Sequence, residues 1–280
     1  MLKIKDKKNC RWDFISLGEV LLRFDSGDER IHTTQNFRVF DGGGEYNVAR
    51  NLAKTFRQRT AIVTALADNS LGRLAENLIH AGNVDASEIL WRDLKAVKIA
   101  KENGVIVSYD LNYRSSLWKN RGGKVAANEL NHEYLSFADI VFGVMSGEFK
   151  PSVTEFDEQK FQKAAKKMQA DFPNLQIIVS TLRDTHNASS HNFSATCFAD
   201  NRVIVADKYI KTNVLDRIGS GDAFVSGFIY GLLNEKDLKF SINCGTAHGV
   251  LVMTTVGDNS TATVEEIEHL MRGDSSAAKR

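Results

Sequence analysis

Proline is nearly missing from this 280-residue chain: only Pro151 and Pro173 occur, where average usage of about 5% would supply about 14. Such scarcity excludes a proline-rich linker protein and suits a succession of helices and strands. Cysteine is scarce as well. Cys10, Cys197 and Cys244 lie far apart, a spacing that fits neither a disulfide framework nor a paired metal knuckle, so a reducing cytoplasm is the expected compartment. Charge of one sign is also lacking, because 36 Lys and Arg face 35 Asp and Glu for a net charge of +1. A nucleic-acid partner is therefore not expected. No stretch approaches the roughly 18 uncharged apolar residues of a membrane span, and the basic start MLKIKDKKNCRW runs into no apolar signal core.

What is present is a core-forming composition, 42% hydrophobic and 25% charged over 280 residues, which reads as a single large α/β domain over 1–280. Short apolar runs at Phe14–Gly18, Ala61–Ala65, Val105–Tyr109, Ile140–Gly143 and Gln176–Ser180 are continuous rather than alternating, as in strands covered on both faces. Helical stretches fall at Asn47–Phe56, Leu71–Ala81, Asp93–Asn103, Asp157–Ala170, Asp222–Leu233 and Asn243–Thr254. In the fourth, Phe161, Ala164, Ala165 and Met168 share one face, three lysines take the other, and Pro173 marks the end. The alternation predicts a mostly parallel central sheet flanked by helices, with ligands at the carboxyl ends of its strands. Leu21–Phe40 alternates polar and apolar residues like an exposed hairpin that could cover a site.

Four segments carry candidate chemistry. In DRIGSGDAFVSGFIYG, Gly219, Ser220 and Gly221 form a turn into a helix whose first turn holds Asp222. Unpaired amides at such a start suit phosphate, and a carboxylate beside them could take a proton from an attacking hydroxyl. The plainer alternative is that Ser220 or Asp222 merely caps the helix. In DGGGEYNVARN, Gly42, Gly43 and Gly44 let backbone approach a ligand, and Asn47 can bond ligand hydroxyls through its amide. A tight turn with a cap is the alternative. The absence of a third fingerprint glycine at Asn47 counts against a dinucleotide site. Asp110, Asn112 and Arg114 follow the strand VIVSY, where an arginine can grip a carboxylate or phosphate, or simply pair with Asp110 in a turn. Thr181–Arg183 has the corresponding position after QIIVS. P-loop, protein-kinase, zinc-protease and nucleophile-elbow motifs are all missing.

Taken together these segments resemble the ribokinase-like (PfkB-type) sugar kinases, most closely the 2-keto-3-deoxygluconate kinases. GGGEYNVARNLA is similar to the family's sugar-side glycine motif, YDLNYRSSLW to its DxNxR segment, TLRDTHNASSHNFSA to its nucleotide-side loop, and DRIGSGDAFVSGFIYGLL to its C-terminal signature, with TVGDNSTATVEEIEHL closing the chain. The resemblance implies a Rossmann-like domain with a small β lid, and phosphoryl transfer from ATP with Mg²⁺ to a hydroxyl of a sugar acid. A fructokinase-like, hexose or nucleoside kinase, or a catalytically weak sugar or nucleotide binder, is the alternative. By that resemblance Asp222 is the catalytic base, Gly219, Ser220 and Gly221 form the anion hole, and Asp216 braces the loop. Thr181, Leu182, Arg183, Asn243 and Ala247 flank the nucleotide. Gly42, Gly43, Gly44, Asn47, Arg114 and Glu19 serve the sugar. A monovalent cation and a homodimer formed through the lid are further expectations.

Two departures stand out. Between Trp91 and Arg92 several dozen family residues are absent, including lid strands and a βα unit, whose loss would bare apolar faces at about 25 cal/mol per Å². The reading is that the recorded sequence omits a segment. FGVMSGEF lacks the family's asparagine before its metal-holding glutamate, which leaves Glu148 as the acidic candidate for Mg²⁺ through water.

Overall fold

A computed structural model of the chain describes residues 4, 6–66, 69–87, 100–113, 118–119, 122–145, 147–257 and 260–273. In chain order the elements are β1 (Phe14–Leu17), β2 (Leu21–Asp25), β3 (Arg38–Gly42), α1 (Gly44–Lys54), β4 (Thr60–Val63), α2 (Ser70–Ala81), β5 (Val84–Asp85), β6 (Ser108–Asp110), α3 (Gly123–Leu135), β7 (Ile140–Phe142), α4 (Glu158–Asp171), β8 (Ile177–Asn187), β9 (Ser190–Ala199), β10 (Arg202–Val205), β11 (Tyr209–Asn213), α5 (Ser220–Leu233), α6 (Leu238–Met253) and α7 (Val264–Met271). They form two compact units, Asp6–Trp91 with Asn213–Arg280, and Met1–Lys5 with Arg92–Thr212.

In the first of these units, β1, β4 and β5 make a parallel sheet in the order β1-β4-β5. Their apolar runs are continuous, and Ala61, Ile62 and Val84 are buried against Tyr46, Ala49 and Ala53 of α1 and Ile79 of α2. The hairpin foreseen over Leu21–Phe40 forms as β2 against β3, antiparallel, with Arg23 opposite Phe40 and Phe24 opposite Val39. Period-two alternation divides its faces: Phe24 and Val39 on one face are exposed, whereas Arg23 and Phe40 on the other are half-buried; the ribbon ends in the buried Asp41. The chain returns for α5 and α6, which pack closely because glycines stand at their crossing. A methyl on Gly227 would lie 2.8 Å from the Cys244 carbonyl oxygen. Phe224 and Phe228 share one face of α5 as their spacing predicts, with ring centroids 6.2 Å apart.

In the second unit β6, β7 and β8 run parallel, and β9 and β10 extend the sheet antiparallel in the order β10-β9-β8-β7-β6. The sheet is thus mixed, parallel on one side only. α4 begins with the Asp157 side chain accepting from the Lys160 amide at 3.0 Å and ends before Pro173. Its buried face is Phe161, Ala164, Ala165 and Met168, the residues foreseen from periodicity. β8 does not stop at Ser180 but continues to Asn187, because β9 supplies partners from Thr181 through Thr185 and, past a register shift, at Asn187. Residues 100–102 are helical and the rest of Asp93–Asn103 falls mainly outside the described residues, as do Arg114 and the Trp91–Arg92 junction.

Candidate active site

The site is built where two helices of one unit begin. β3 ends at Gly42 and the chain passes through Gly43, whose φ of 134° favours glycine. A side chain there would also run into the Glu19 carbonyl oxygen. The Glu19 backbone thus packs against the glycine turn, and Glu19 itself is exposed. The turn is braced from within α1: the Tyr46 hydroxyl donates to Asp41 Oδ2 at 2.6 Å, and Arg50 Nε lies 2.9 Å from the same oxygen. Burial, followed by the Asp41 carboxylate, pushes the Tyr46 phenol far above its ordinary range, so it stays a proton donor.

α5 begins after Gly219, which is left-handed at φ 77° and brings no side-chain cap. Ser220 Oγ donates to the Arg217 carbonyl at 2.9 Å, and the Asp222 carboxylate reaches α1. There Asn47 Nδ2 donates to Asp222 Oδ2 at 2.8 Å. Asn47 is 3% exposed, and its Oδ1 is buried with no hydrogen-bond partner among the described residues. An unsatisfied buried acceptor costs about 1–3 kcal/mol, so this oxygen calls for a donor such as a ligand hydroxyl. Beside it, Gly221 is exposed, and a methyl placed on it would meet nothing within 4 Å. The first turn of α5 thus has open space beside Gly221, on the turn that carries the Asp222 carboxylate.

Asp216 closes the loop ahead of this helix, with Oδ1 accepting from the Ile218 amide at 3.0 Å. Arg23 of β2 donates to its other oxygen at 3.1 Å. Reading the sequence missed Arg23; the alternation of the hairpin marks its face, yet nothing local shows what that face meets. On α6, Asn243 is half-buried and Ala247 fully buried.

The remaining candidates lie in the other unit. Asp110 Oδ1 accepts from the Asn112 amide at 3.0 Å, and Arg114 lies outside the described residues. Thr181 and Arg183 are half-buried inside β8 rather than in a turn, while Leu182 is in the apolar core with Val141 and Ile178. Only the backbone of Leu182 is left to face a ligand. Glu148 is exposed and lies 3.3 Å from Lys163 Nζ. Among the described residues no group of three or more His, Cys, Asp or Glu could hold a metal, so these side chains build no cage for a divalent ion. None of the described helices is long and apolar enough to cross a membrane.

Comparison with known proteins adds the lineage. A 5-dehydro-2-deoxygluconokinase of Listeria monocytogenes is 27% identical over 182 residues, 64% of this chain and 50% of that protein; the chain thus spans about half the length of this relative. One of Clostridium perfringens is 21% identical over 346 positions, covering 97% of this chain and 96% of its own. Several dozen of those positions stand opposite gaps in the 280 residues here. The crystal structure of 2-dehydro-3-deoxygluconokinase from Thermotoga maritima superimposes with a TM-score of 0.81 at 23% identity, over 93% of this chain and 99% of that one, which makes the fold ribokinase-like. The pfkB family carbohydrate kinase model matches residues 88–265, more than half the chain and including the whole start of α5, and so the protein belongs to the pfkB family of carbohydrate kinases.

Proposed function

We propose that the chain transfers the γ-phosphoryl group of ATP to a hydroxyl of a keto-deoxy sugar acid, of the 2-keto-3-deoxygluconate class. The observation that carries this reading is the Asn47–Asp222 contact of 2.8 Å at a helix start where Gly221 is exposed and a side chain on it would meet nothing within 4 Å. The acceptor hydroxyl gives its proton to Asp222 as its oxygen bonds to the γ-phosphorus. The bond from that phosphorus to the bridging oxygen breaks, and ADP leaves with the electron pair. The amides of Gly219, Ser220 and Gly221 stabilise the charge on the group in flight. Mg²⁺ enters such sites on the phosphates of the nucleotide rather than in an all-protein cage. Gly42–Gly44, Asn47 and Arg114 are the proposed sugar contacts, with Arg114 for the carboxylate. Thr181, Leu182, Arg183, Asn243 and Ala247 are proposed for the nucleotide, and Glu148 for the water shell of the metal.

Relatives named for 5-dehydro-2-deoxygluconate and 2-dehydro-3-deoxygluconate support the acid class, since both compounds carry a carboxylate, a ketone and one missing hydroxyl. The chain would work in the cytoplasm, where Cys10, Cys197 and Cys244 remain thiols.

Sugar-dependent ADP release, measured across both keto-deoxy acids and fructose, tests the reading. Asp222→Asn should lower kcat by about 10²- to 10⁴-fold with ATP affinity retained, and an unchanged kcat would overturn the base assignment. Arg114→Ala should raise KM more for the acids than for fructose; equal effects would point to a plain hexose kinase. Tight binding without sugar-dependent ADP release would make the chain a weakly catalytic binder.

A further inference from the structure

A second charged contact reaches the loop before α5. Arg23 stands in the middle of β2 opposite Phe40, and its guanidinium lies 3.1 Å from Asp216 Oδ2 and 5.9 Å from the Phe40 ring centroid. The two side chains are only 24% and 12% exposed, so salt screens them little. Asp216 is the junction of three segments. It holds the Ile218 amide through Oδ1, and through Oδ2 it takes both Arg23 and, at 3.4 Å, the Gly257 amide beyond α6. The hairpin meets the same helix start by a second route, because β3 leads through Gly43 into α1, whose Asn47 donates to Asp222. Hairpin and anion loop are therefore joined at both ends of the loop.

From this circuit we infer that Arg23 is a positioning residue for phosphoryl transfer. It fixes Asp216, and through it the amides ahead of Asp222, so that the loop keeps its working shape while the hairpin is seated. It also cancels a negative charge that would otherwise repel a triphosphate from the loop. A guanidinium suits the place because its planar fork can bond the carboxylate while lying near an aromatic face, which an ammonium does poorly. The effect on turnover rests on the kinase reading; the effect on the loop does not.

The test uses the full chain with Arg23→Met and Arg23→Lys, and two readouts. In ligand-free protein, amide hydrogen exchange at Ile218 and Gly257 should speed up about tenfold or more in the methionine variant, with the interior of α4 unchanged. With ATP, Mg²⁺ and 2-keto-3-deoxygluconate, kcat should fall tenfold or more, up to the about 10²-fold that a 1 Å misplacement costs, while KM for the sugar changes little. The lysine variant should recover part of both. Joined to Asp216→Asn, Arg23→Met should add almost no further loss. Unchanged exchange and kcat, or fully additive losses, overturn the inference. If the unmodified chain releases no ADP with sugar, the kinase reading fails by itself and the exchange data still decide the role of Arg23. Arg23→Gln with the same readouts replaces a methionine variant that does not fold.

Discussion

His248 shows how a single side chain can record the cost of its surroundings. It is fully buried on α6, with Nδ1 3.1 Å from Ser226 Oγ and the edge of its ring facing Phe56, 5.1 Å between centroids. The Ser226 hydroxyl also donates to the Ala223 carbonyl at 2.7 Å. Nε2 has no partner among the described residues. Burial pushes the imidazole down to about 3. Unfolded, it titrates near 6.5, so below that pH the unfolded chain binds a proton that the folded chain refuses. Stability contributed by the neutral ring is therefore full above about pH 6.5 and lost as pH falls toward 3, by up to about 1.36 kcal/mol per pH unit. A melting series from pH 7 to 4 should show this slope, and His248→Gln should flatten it. A slope unchanged by that substitution would assign the acid sensitivity to the carboxylates instead.

At the scale of elements, α5 uses its glycines for two opposite purposes. Gly227 and Gly231 sit where α6 presses close: a methyl on Gly227 would lie 2.8 Å from the Cys244 carbonyl oxygen, and one on Gly231 would lie 2.8 Å from Ser241 Cα. Gly221, in the first turn, faces open space. Gly227→Ala should accordingly cost about 1–3 kcal/mol of stability through overpacking and lower the melting temperature. Gly221→Ala should keep or raise the melting temperature, since alanine is favoured over glycine within a helix by about 1 kcal/mol, yet should cut turnover by filling the room left for the phosphoryl group. Paired melting curves and initial rates distinguish the two. Equal activity in Gly221→Ala and the unmodified chain would remove the anion site from this helix start.

For the molecule as a whole, the hairpin bears on assembly. Its outer face presents Phe24 at 50% and Val39 at 36% exposure, with Phe37 stacked edge-on against Phe24 at 6.1 Å. Apolar side chains on a two-stranded ribbon gain from being covered, and the proposed cover is the hairpin of a second copy. Light scattering should then give twice the 31.2 kDa of the chain, falling to the single mass in Phe24→Lys; a monomer in both would leave the ribbon as a simple lid.

Much of this was legible in one dimension. The continuous apolar runs, the α4 stripe and the capping residue Asp157 act over a few neighbours, so pattern and propensity alone determined most strands and helices. The spaced glycines and the aspartate ahead of Phe224 likewise marked the helix start now proposed as the anion loop, because a helix start carries unpaired amides wherever it occurs. Tertiary structure decided the rest. β8 runs on to Asn187 because a partner strand satisfies it, a condition that its own polar residues do not encode. Asn47 and Asp222 are 175 residues apart, and Arg23 and Asp216 are 193 apart. Contacts at such separations depend on how sheets and helices stack and on where side chains of a given length then reach, and no local rule of spacing carries that information.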